Sequence, residues 1–298
     1  MRFLFKRLGV AVAAAAVVVW GTGCHPMLRT SRQRVVDRVP YTVAFDGVPG
    51  PTGLTVDLYG NLYVSQRGSQ GSVMRISPSG ERQDVITGLG AIRGLARDDR
   101  GNVYVVTAGL SMAGGSHGVY RISDDGRRKL LVKGLSNPVA LAVDEHDRLF
   151  ITEDLANGRI LRYADDELLT WAERLQRPRG IAAGREGAIF TAEATTGQLI
   201  RLTPDGLRHV LIPEGILQEP EALFYSGLYR GVFIVEGHSK GRLLFASVDG
   251  AIVSLLYDLK RPSALTMDVE GNLFIAETGR NRILRVPNEP LVHALDVS

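Results

Sequence analysis

The stretch RPSALTMDVEGNLFIAETGRNRILRV, Arg261–Val286, contains three short apolar runs separated by turn residues. An acidic turn, Asp268–Asn272, precedes the second run, Leu273–Ala276, which is followed by Glu277. The third run is Arg282–Val286. Short apolar runs bounded by Gly, Asn and Asp are typical of antiparallel strands joined by tight turns, and none of these runs is long enough for an ordinary helix.

The same unit recurs along most of the chain. A period of about 42 residues, with four short strands in each copy, is typical of a propeller blade and not of a helical repeat. The sequence therefore predicts an all-β fold, a six-bladed β-propeller of four-stranded antiparallel blades over residues 40–290. We call the residue that follows the opening proline, or its equivalent, the opening residue of each blade; these are Thr52, Arg93, Val139, Arg179, Glu221 and Ser263.

The sixth copy lacks an outer strand. Each of the first five copies continues into a fourth strand, such as Ala251–Tyr257, whereas the sixth does not. Tyr41–Phe45 precedes the first copy at the spacing of an outer strand, so we expect it to close the ring as the fourth strand of the last blade, which removes the unpaired edges. Leu291–Val297, within the predicted C-terminal tail 291–298, is the alternative closing strand.

The N-terminus has the pattern of an export signal. Residues 1–23 carry basic residues followed by the apolar run Leu8–Trp20. This run is shorter than the roughly 20 apolar residues of a spanning helix. The segment Gly21–Cys24 resembles the end of a bacterial lipoprotein signal, which implies a lipid on Cys24 and attachment to a bacterial membrane, facing the periplasm or the outside. A cleaved soluble form and an uncleaved anchor are the alternatives, and all three place the ring outside the cytoplasm.

The charge balance excludes one class of partner. The chain has 35 Lys and Arg against 32 Asp and Glu, and three of the basic residues lie in the export segment, so the remainder is formally neutral. Nucleic-acid-binding domains usually show a basic patch, so we expect no nucleic acid as a partner. We also expect a monomer. Residues 24–39 are a predicted tether whose arginines either touch anionic headgroups or remain solvated.

A second set of residues is predicted to lie near the opening residues. In a propeller the first strand leaves the face to which the second strand returns, so the end of the second strand lies at the same mouth of the central channel. Crowded carboxylates at such a mouth raise one another's pKa or bind a hard cation. A repeated Glu is also explained by a side chain that accepts amides of its own turn. We call the last residues of the second strands the ending residues; they are Gln66, Thr107, Glu153, Glu193, Glu236 and Glu277.

Three opening residues depart from the repeat. Arg93, Arg179 and Glu221 stand where other copies have Thr, Val or Ser, so the fold does not require them. They are candidate ligand-binding residues, and pairing with the ending Glu residues is the alternative. The other candidate ligand-binding residues are the ending residues Gln66, Glu153, Glu193 and Glu277.

Blade two carries a longer, Gly-rich loop, Ala108–Gly118, on the same face. It is a candidate lid over the mouth or an inert loop. His117 in this loop and His238 near Glu236 are candidate acid–base groups; the alternative is that both are surface histidines.

The copies resemble the NHL repeat and the blades of the gluconolactonase and streptogramin lyase propellers over residues 40–286. Phe150–Tyr163 and Arg201–Gly206 are similar to lyase repeats. The resemblance implies a Ca²⁺- or Mg²⁺-dependent lyase or lactone hydrolase, with Glu219 and Glu236 at positions of the lyase site. Glu221 and Arg179 stand where that family has histidines, and only Glu221 fits the ligand pattern of the gluconolactonases.

Two functions follow as hypotheses. The first is an exported, lipid-anchored NHL-type propeller whose mouth binds a small polar molecule, glycan, peptide or partner protein. The second is a divalent-metal-dependent lyase or lactone hydrolase at the same mouth. In that case Glu219, Glu221 and Glu236 would hold the cation, and these residues with His238 would carry the acid–base chemistry.

Overall fold

The computed structural model describes residues 33–35, 38–68, 71–108, 117–123 and 125–295. Two strands precede the first blade, β1 (Gln33–Val35) and β2 (Thr42–Phe45). The blades follow in chain order. Blade one is formed by β3 (Pro51–Val56), β4 (Leu62–Gln66), β5 (Ser72–Ile76) and β6 (Arg82–Ile86), and blade two by β7 (Ile92–Arg97), β8 (Val103–Thr107), β9 (Gly118–Ile122) and β10 (Arg128–Lys133). Blade three is formed by β11 (Pro138–Val143), β12 (Leu149–Glu153), β13 (Gly158–Ala164) and β14 (Glu167–Leu175), and blade four by β15 (Pro178–Ala183), β16 (Ile189–Glu193), β17 (Gln198–Leu202) and β18 (Arg208–Ile212). Blade five is formed by β19 (Pro220–Ser226), β20 (Gly231–Glu236), β21 (Gly241–Ser247) and β22 (Ile252–Leu259), and blade six contains β23 (Pro262–Met267), β24 (Leu273–Glu277) and β25 (Arg282–Val286).

These strands form six sheets, one for each predicted blade; the four strands of each blade are antiparallel, and β1 adds a fifth, parallel strand to the sheet of blade five. The first strand of each blade packs against the first strands of its two neighbours, so the six first strands surround the axis. The prediction of an all-β, six-bladed propeller with four-stranded antiparallel blades is confirmed. Two short 3₁₀ turns, Arg185–Gly187 and Thr278–Arg280, and one helix, α1 (Asn288–Leu295), complete the described elements.

The ring is closed by the N-terminal strand. β2 pairs antiparallel with β25, with Thr42 opposite Arg285 and Val43 opposite Leu284. The predicted closure by Tyr41–Phe45 is therefore confirmed. The alternative closure by Leu291–Val297 is wrong, because Asn288–Leu295 form α1, in which Leu291 is fully buried.

The acidic turn of the repeat is fixed by its own side chains. In blade one, Asp57 Oδ1 accepts the backbone amides of Tyr59 and Asn61, and Asp57 Oδ2 accepts the Asn61 side-chain amide. Asp98 bonds Asn102, and Asp268 bonds Asn272, in the same way. The Gly of each of these turns has a positive φ, from 79° to 90°, which a residue with a Cβ adopts only at a cost. The D-x-x-G-N pattern is thus a local folding signal.

Small residues bring the first strands close together at the axis. A Cβ on Gly94 would lie 3.0 Å from the Val139 carbonyl oxygen, and one on Gly180 would lie 2.8 Å from the Leu223 side chain. Between neighbouring blades lie apolar clusters, the largest of which contains Phe233. The close approach of the inner strands leaves only a narrow axial space.

The end of the predicted tether lies along blade five. β1 pairs parallel with β22, so that Gln33 lies opposite Ile252. Val39 is buried and donates its amide to Leu255, and Arg38 donates to the Tyr257 carbonyl. The export segment 1–23 and Cys24 lie outside the described residues. Within the described part of the chain, no helix is long and apolar enough to cross a membrane.

Candidate functional site

The predicted mouth contains a cavity of about 130 Å³ on the propeller axis. It is lined by the first strands of all six blades, with Gly or Ala next to each opening residue. Topology therefore places the opening residues together as the sequence analysis expected. The six opening residues Thr52, Arg93, Val139, Arg179, Glu221 and Ser263 all line the cavity, and Asp154 joins them.

A charged network occupies one side of this cavity. Arg179 bridges two carboxylates, with its Nη1 2.6 Å from Glu221 Oε2 and its Nε 3.2 Å from Asp154 Oδ2. Arg177 holds the same Asp154 through two hydrogen bonds of 2.8 and 3.1 Å. Burial opposes the positive charge of Arg179, but Glu221 and Asp154 outweigh it and raise the pKa of the guanidinium above its ordinary value. These side chains fix one another in place.

Asp154 was not among the predicted site residues, although its signal is present in the sequence. It follows the ending residue Glu153, at a position where the other blades have Arg, Ala, Ala, Gly and Thr. An acid at this position is as much a departure from the repeat as Arg179 and Glu221. Comparison of the residues just beyond the second strands would therefore have found it.

Arg93 differs from the other charged residues of the cavity. It is exposed, and among the residues that the structure describes it has neither an ion-pair nor a hydrogen-bond partner. Arg93 belongs to blade two and Glu221 belongs to blade five, so the two residues lie on opposite sides of the six-bladed propeller. Blades one and six lie between these two, and the hydroxyls of their opening residues are already hydrogen-bonded. Thr52 bonds Ser65, and Ser263 bonds the Pro51 carbonyl. Within the described ranges, nothing engages the guanidinium of Arg93.

The ending Glu residues do not line the cavity. Each is buried and accepts the backbone amide of the residue two positions before the first strand of its own blade, at 2.5 to 3.0 Å. Each also pairs with an arginine of its own blade. These contacts support a structural role for the ending Glu residues, but the amide that each accepts lies in the segment that enters the blade and not in the turn that follows the Glu. The pairs are Glu153 with Arg159, Glu193 with Arg208, Glu236 with Arg242, and Glu277 with Arg282.

The remaining predicted residues lie apart from the cavity lining. Gln66 accepts a hydrogen bond from Ser72 at 2.8 Å. Glu219 is exposed, with a φ of 48°, and its carbonyl accepts the Gly237 amide. His238 Nε2 lies 3.5 Å from Glu236 Oε2, which already pairs with an arginine.

The loop that was a candidate lid lies mostly outside the described residues. Residues 109–116 are not described, so a lid over the mouth remains a prediction. His117, at the end of the loop, is half-buried, and it does not line the cavity.

The predicted cation ligands are not brought together. Glu236 is buried against Arg242, Glu221 is bonded to Arg179, and Glu219 is exposed at a turn. Within the described ranges, no group of three or more His, Cys, Asp or Glu side chains is arranged to hold a metal ion. The residues present therefore do not fit the Ca²⁺ or Mg²⁺ site predicted from the sequence, because Glu221 and Glu236 are neutralised by arginines and Glu219 lies apart from both.

We expect the stability of the protein to be independent of divalent cations. A cation that binds only the native state raises the melting temperature with concentration. Thermal melts with EDTA and then with excess Ca²⁺ or Mg²⁺ should coincide. A rise that disappears in Glu221→Ala would show that the mouth binds a cation after displacing Arg179.

The fold defines the class of this protein as a six-bladed β-propeller. No model of a known protein family matches the chain, and no curated protein is similar to it in sequence. Its structure is similar to virginiamycin B lyase from Staphylococcus aureus, with a TM-score of 0.62 and 19% identity over 85% of this chain and 86% of that chain. It is also similar to a gluconolactonase from Xanthomonas campestris, with a TM-score of 0.67 and 16% identity over 82% and 88% of the two chains.

A third similarity comes from a structure described as a nidogen/laminin complex. The TM-score is 0.58 and the identity 21%, over 70% of this chain and 86% of that chain. At these identities the similarities show the fold alone. The resemblance to gluconolactonase-like and streptogramin-lyase-like propellers is confirmed at that level.

Proposed function

We propose that this propeller binds, at its axial cavity, a small polar molecule or the polar end of a larger one, through an anionic group. The observation that carries the proposal is the guanidinium of Arg93, which is exposed at a lined cavity and has no partner among the described residues. An Arg fork fits carboxylate or phosphate groups through two parallel hydrogen bonds. The fold does not require an arginine at this position, because other blades have Thr, Val or Ser there.

The charges of the cavity lining support an anionic ligand. Asp154 and Glu221 are matched by Arg177 and Arg179, so Arg93 is the unmatched charge among the described residues of the lining. A ligand that carries a positive group alone would have to compete with arginines for both carboxylates. The anion is therefore the favoured partner at the mouth.

The size of the cavity limits what enters it. Drug-sized ligands usually occupy pockets of about 300–1,000 Å³, whereas this cavity has about 130 Å³. A small carboxylate fits inside, and a glycan or peptide would insert only an acidic terminal group. The rest of a larger ligand would lie on the rim of the mouth.

We propose the same export and attachment that the sequence favours, with the lipid on Cys24 and the ring in the cell envelope outside the cytoplasm. The support is the order of charged, apolar and small residues before Cys24. We do not propose a metal-dependent lyase or lactone hydrolase. The similarity to such enzymes is one of fold, and two of the three carboxylates that would hold a cation, Glu221 and Glu236, are paired with arginines.

We expect Arg93→Ala to weaken anion binding without loss of stability. The test is a melting-temperature screen of small carboxylates, sugar acids and inorganic phosphate, followed by calorimetry on the best ligand. Loss of a hydrogen-bonded charge partner costs about 1.5–3 kcal/mol, so affinity should fall at least about tenfold. Arg93→Lys should retain part of the affinity.

The matched control is Arg100→Ala, an exposed arginine in the turn between the first two strands of blade two, which pairs with Asp147. This variant should bind the same ligand with unchanged affinity. Equal affinities of the Arg93→Ala variant and the unmodified protein, or no stabilisation by any anion of the series, would overturn the proposal.

A further inference from the structure

The turns that join the first and second strands, on the face opposite the cavity mouth, have an uneven distribution of apolar side chains. We call this face the lower face; the turns that join the third and fourth strands also lie on it, and one of them carries Leu207 of blade four, which is 56% exposed. The four most exposed large apolar side chains among the described residues all lie in the turns between the first and second strands: Tyr59 (83% exposed), Leu58 (66%), Val269 (64%) and Leu228 (57%). They belong to blades one, six and five, which are consecutive in the ring, and we call them the apolar arc.

The fold does not require apolar side chains at the positions of the apolar arc. In the D-x-x-G-N turns the side-chain hydrogen bonds come from the Asp and the Asn, and position three contributes only its backbone amide, so the side chains of the two intermediate positions are free to be polar. In blades two, three and four these turns are charged, with Asp99–Arg100, Glu145–Asp147 and Arg185–Glu186. The exposed charges beside the arc, Arg230 and Glu270, are of opposite sign. Clustered exposed apolar side chains on one side of a face indicate a contact surface.

The chain joins the ring at this same face. β21 runs from the mouth towards the lower face and β22 runs back, so Ile252, the first residue of β22, lies at the lower face. Gln33 is opposite Ile252 in the parallel pairing of β1 with β22. Gln33, the first described residue, therefore lies at the lower face, on blade five, which also carries Leu228 of the arc.

The length of the preceding segment limits the distance to a membrane. An extended chain spans at most about 3.6 Å per residue, so Cys24 lies within roughly 30 Å of Gln33. A lipid on Cys24 would hold the lower end of blade five within that distance of a bilayer. The segment 24–39 also carries four arginines against one acid, Asp37, and such a segment is attracted to anionic headgroups.

We propose that the apolar arc rests in the headgroup region of an anionic lipid bilayer, so that the cavity mouth opens away from the membrane. This inference rests on the lipid attachment at Cys24 proposed above. The tether limits the distance from the bilayer, and the arc selects which face touches it. Tyr and Leu side chains are suited to this region because they bring apolar area to the boundary between headgroups and acyl chains.

The test compares hydrogen exchange of the full chain in two environments, vesicles of phosphatidylethanolamine with phosphatidylglycerol and detergent micelles. In vesicles we expect several-fold slower exchange in the turns at 57–61, 226–231 and 268–272. The turns at 98–102, 144–148 and 184–188 serve as the internal control and should exchange equally in both. The variant Leu58→Ser, Tyr59→Ser, Leu228→Ser and Val269→Ser should lose the protection and keep its melting temperature, because all four side chains are exposed.

Flotation of the vesicles separates the failure of this inference from the failure of membrane attachment. A chain that floats without protection of the arc overturns the inference and leaves the attachment standing. A chain that does not float overturns both. Protection of the arc that is also seen in micelles and grows with protein concentration would identify a second copy as the occupant, which would likewise overturn the membrane contact.

Discussion

Glu236→Ala should lower the free energy of unfolding by about 3–5 kcal/mol, because removing one partner of a buried ion pair leaves the other charge unpaired. Glu236 is fully buried, and both of its oxygens bond Arg242 at 2.6 and 2.7 Å. The Gln218 amide, 2.8 Å from Glu236 Oε1, would lose its acceptor as well. For a chain of this size the melting temperature should fall by on the order of 10 °C. Urea unfolding and thermal melts measure both quantities.

Glu219→Ala is the matched control for this prediction. The sequence predicts the same role for Glu219 and Glu236, that of a catalytic and cation-binding carboxylate. Glu219 is exposed and its side chain has no partner among the described residues, so its loss should change stability by no more than about 0.5 kcal/mol. If Glu236→Ala were as stable as the control and instead failed to bind the ligand, Glu236 would be a residue of the site and the structural role would be wrong.

The fold was predictable because its signals are local and repeated. Each D-x-x-G-N turn is closed by hydrogen bonds between its own Asp and Asn, as in Asp57–Asn61, so the sequence pattern alone predicts the turn. Ring closure followed from counting strands, since the sixth copy lacked one and Tyr41–Phe45 supplied it. The helix at Asn288–Leu295 was not predicted, since Leu291–Val297 was considered only as an alternative closing strand; a proline in the first helical turn, such as Pro290, is tolerated.

The site was predicted only in part. The opening residues lie on the innermost strands, and the direction of those strands alone places them on the axis. The ending residues lie on the second strands, one strand further from the axis. Their Glu side chains are buried within their own blades, where arginines of the same blade neutralise them. The signal for this pairing is present in the sequence, as a Glu followed five or six residues later by an Arg in Glu153–Arg159, Glu236–Arg242 and Glu277–Arg282. The network of Asp154 with Arg177 and Arg179 joins two blades, and no single copy of the repeat predicts it.

Removal of the closing strand should have the second large effect. A version of the protein that begins at Gly47 lacks β2, so β25 becomes an unpaired edge and Phe45 no longer packs against the cluster between blades six and one. Loss of a fully buried aromatic side chain costs about 3–5 kcal/mol; Phe45 is half-buried and contributes part of this, and the buried Val39 is lost with it. Together with the lost pairing to β25, we expect a drop in unfolding free energy of at least about 4 kcal/mol and association through the exposed edge.

The matched control is a version that begins at Val39, which lacks β1 but retains β2. β1 adds only a three-residue parallel pairing on the outside of blade five, a blade whose four other strands are complete without it. Its removal should leave the urea midpoint close to that of the full ring and the protein monomeric by light scattering. Coincident midpoints for the two versions would contradict closure by β2. A lower midpoint for the Gly47 version alone would show that the ring is held closed by an element from the opposite end of the chain.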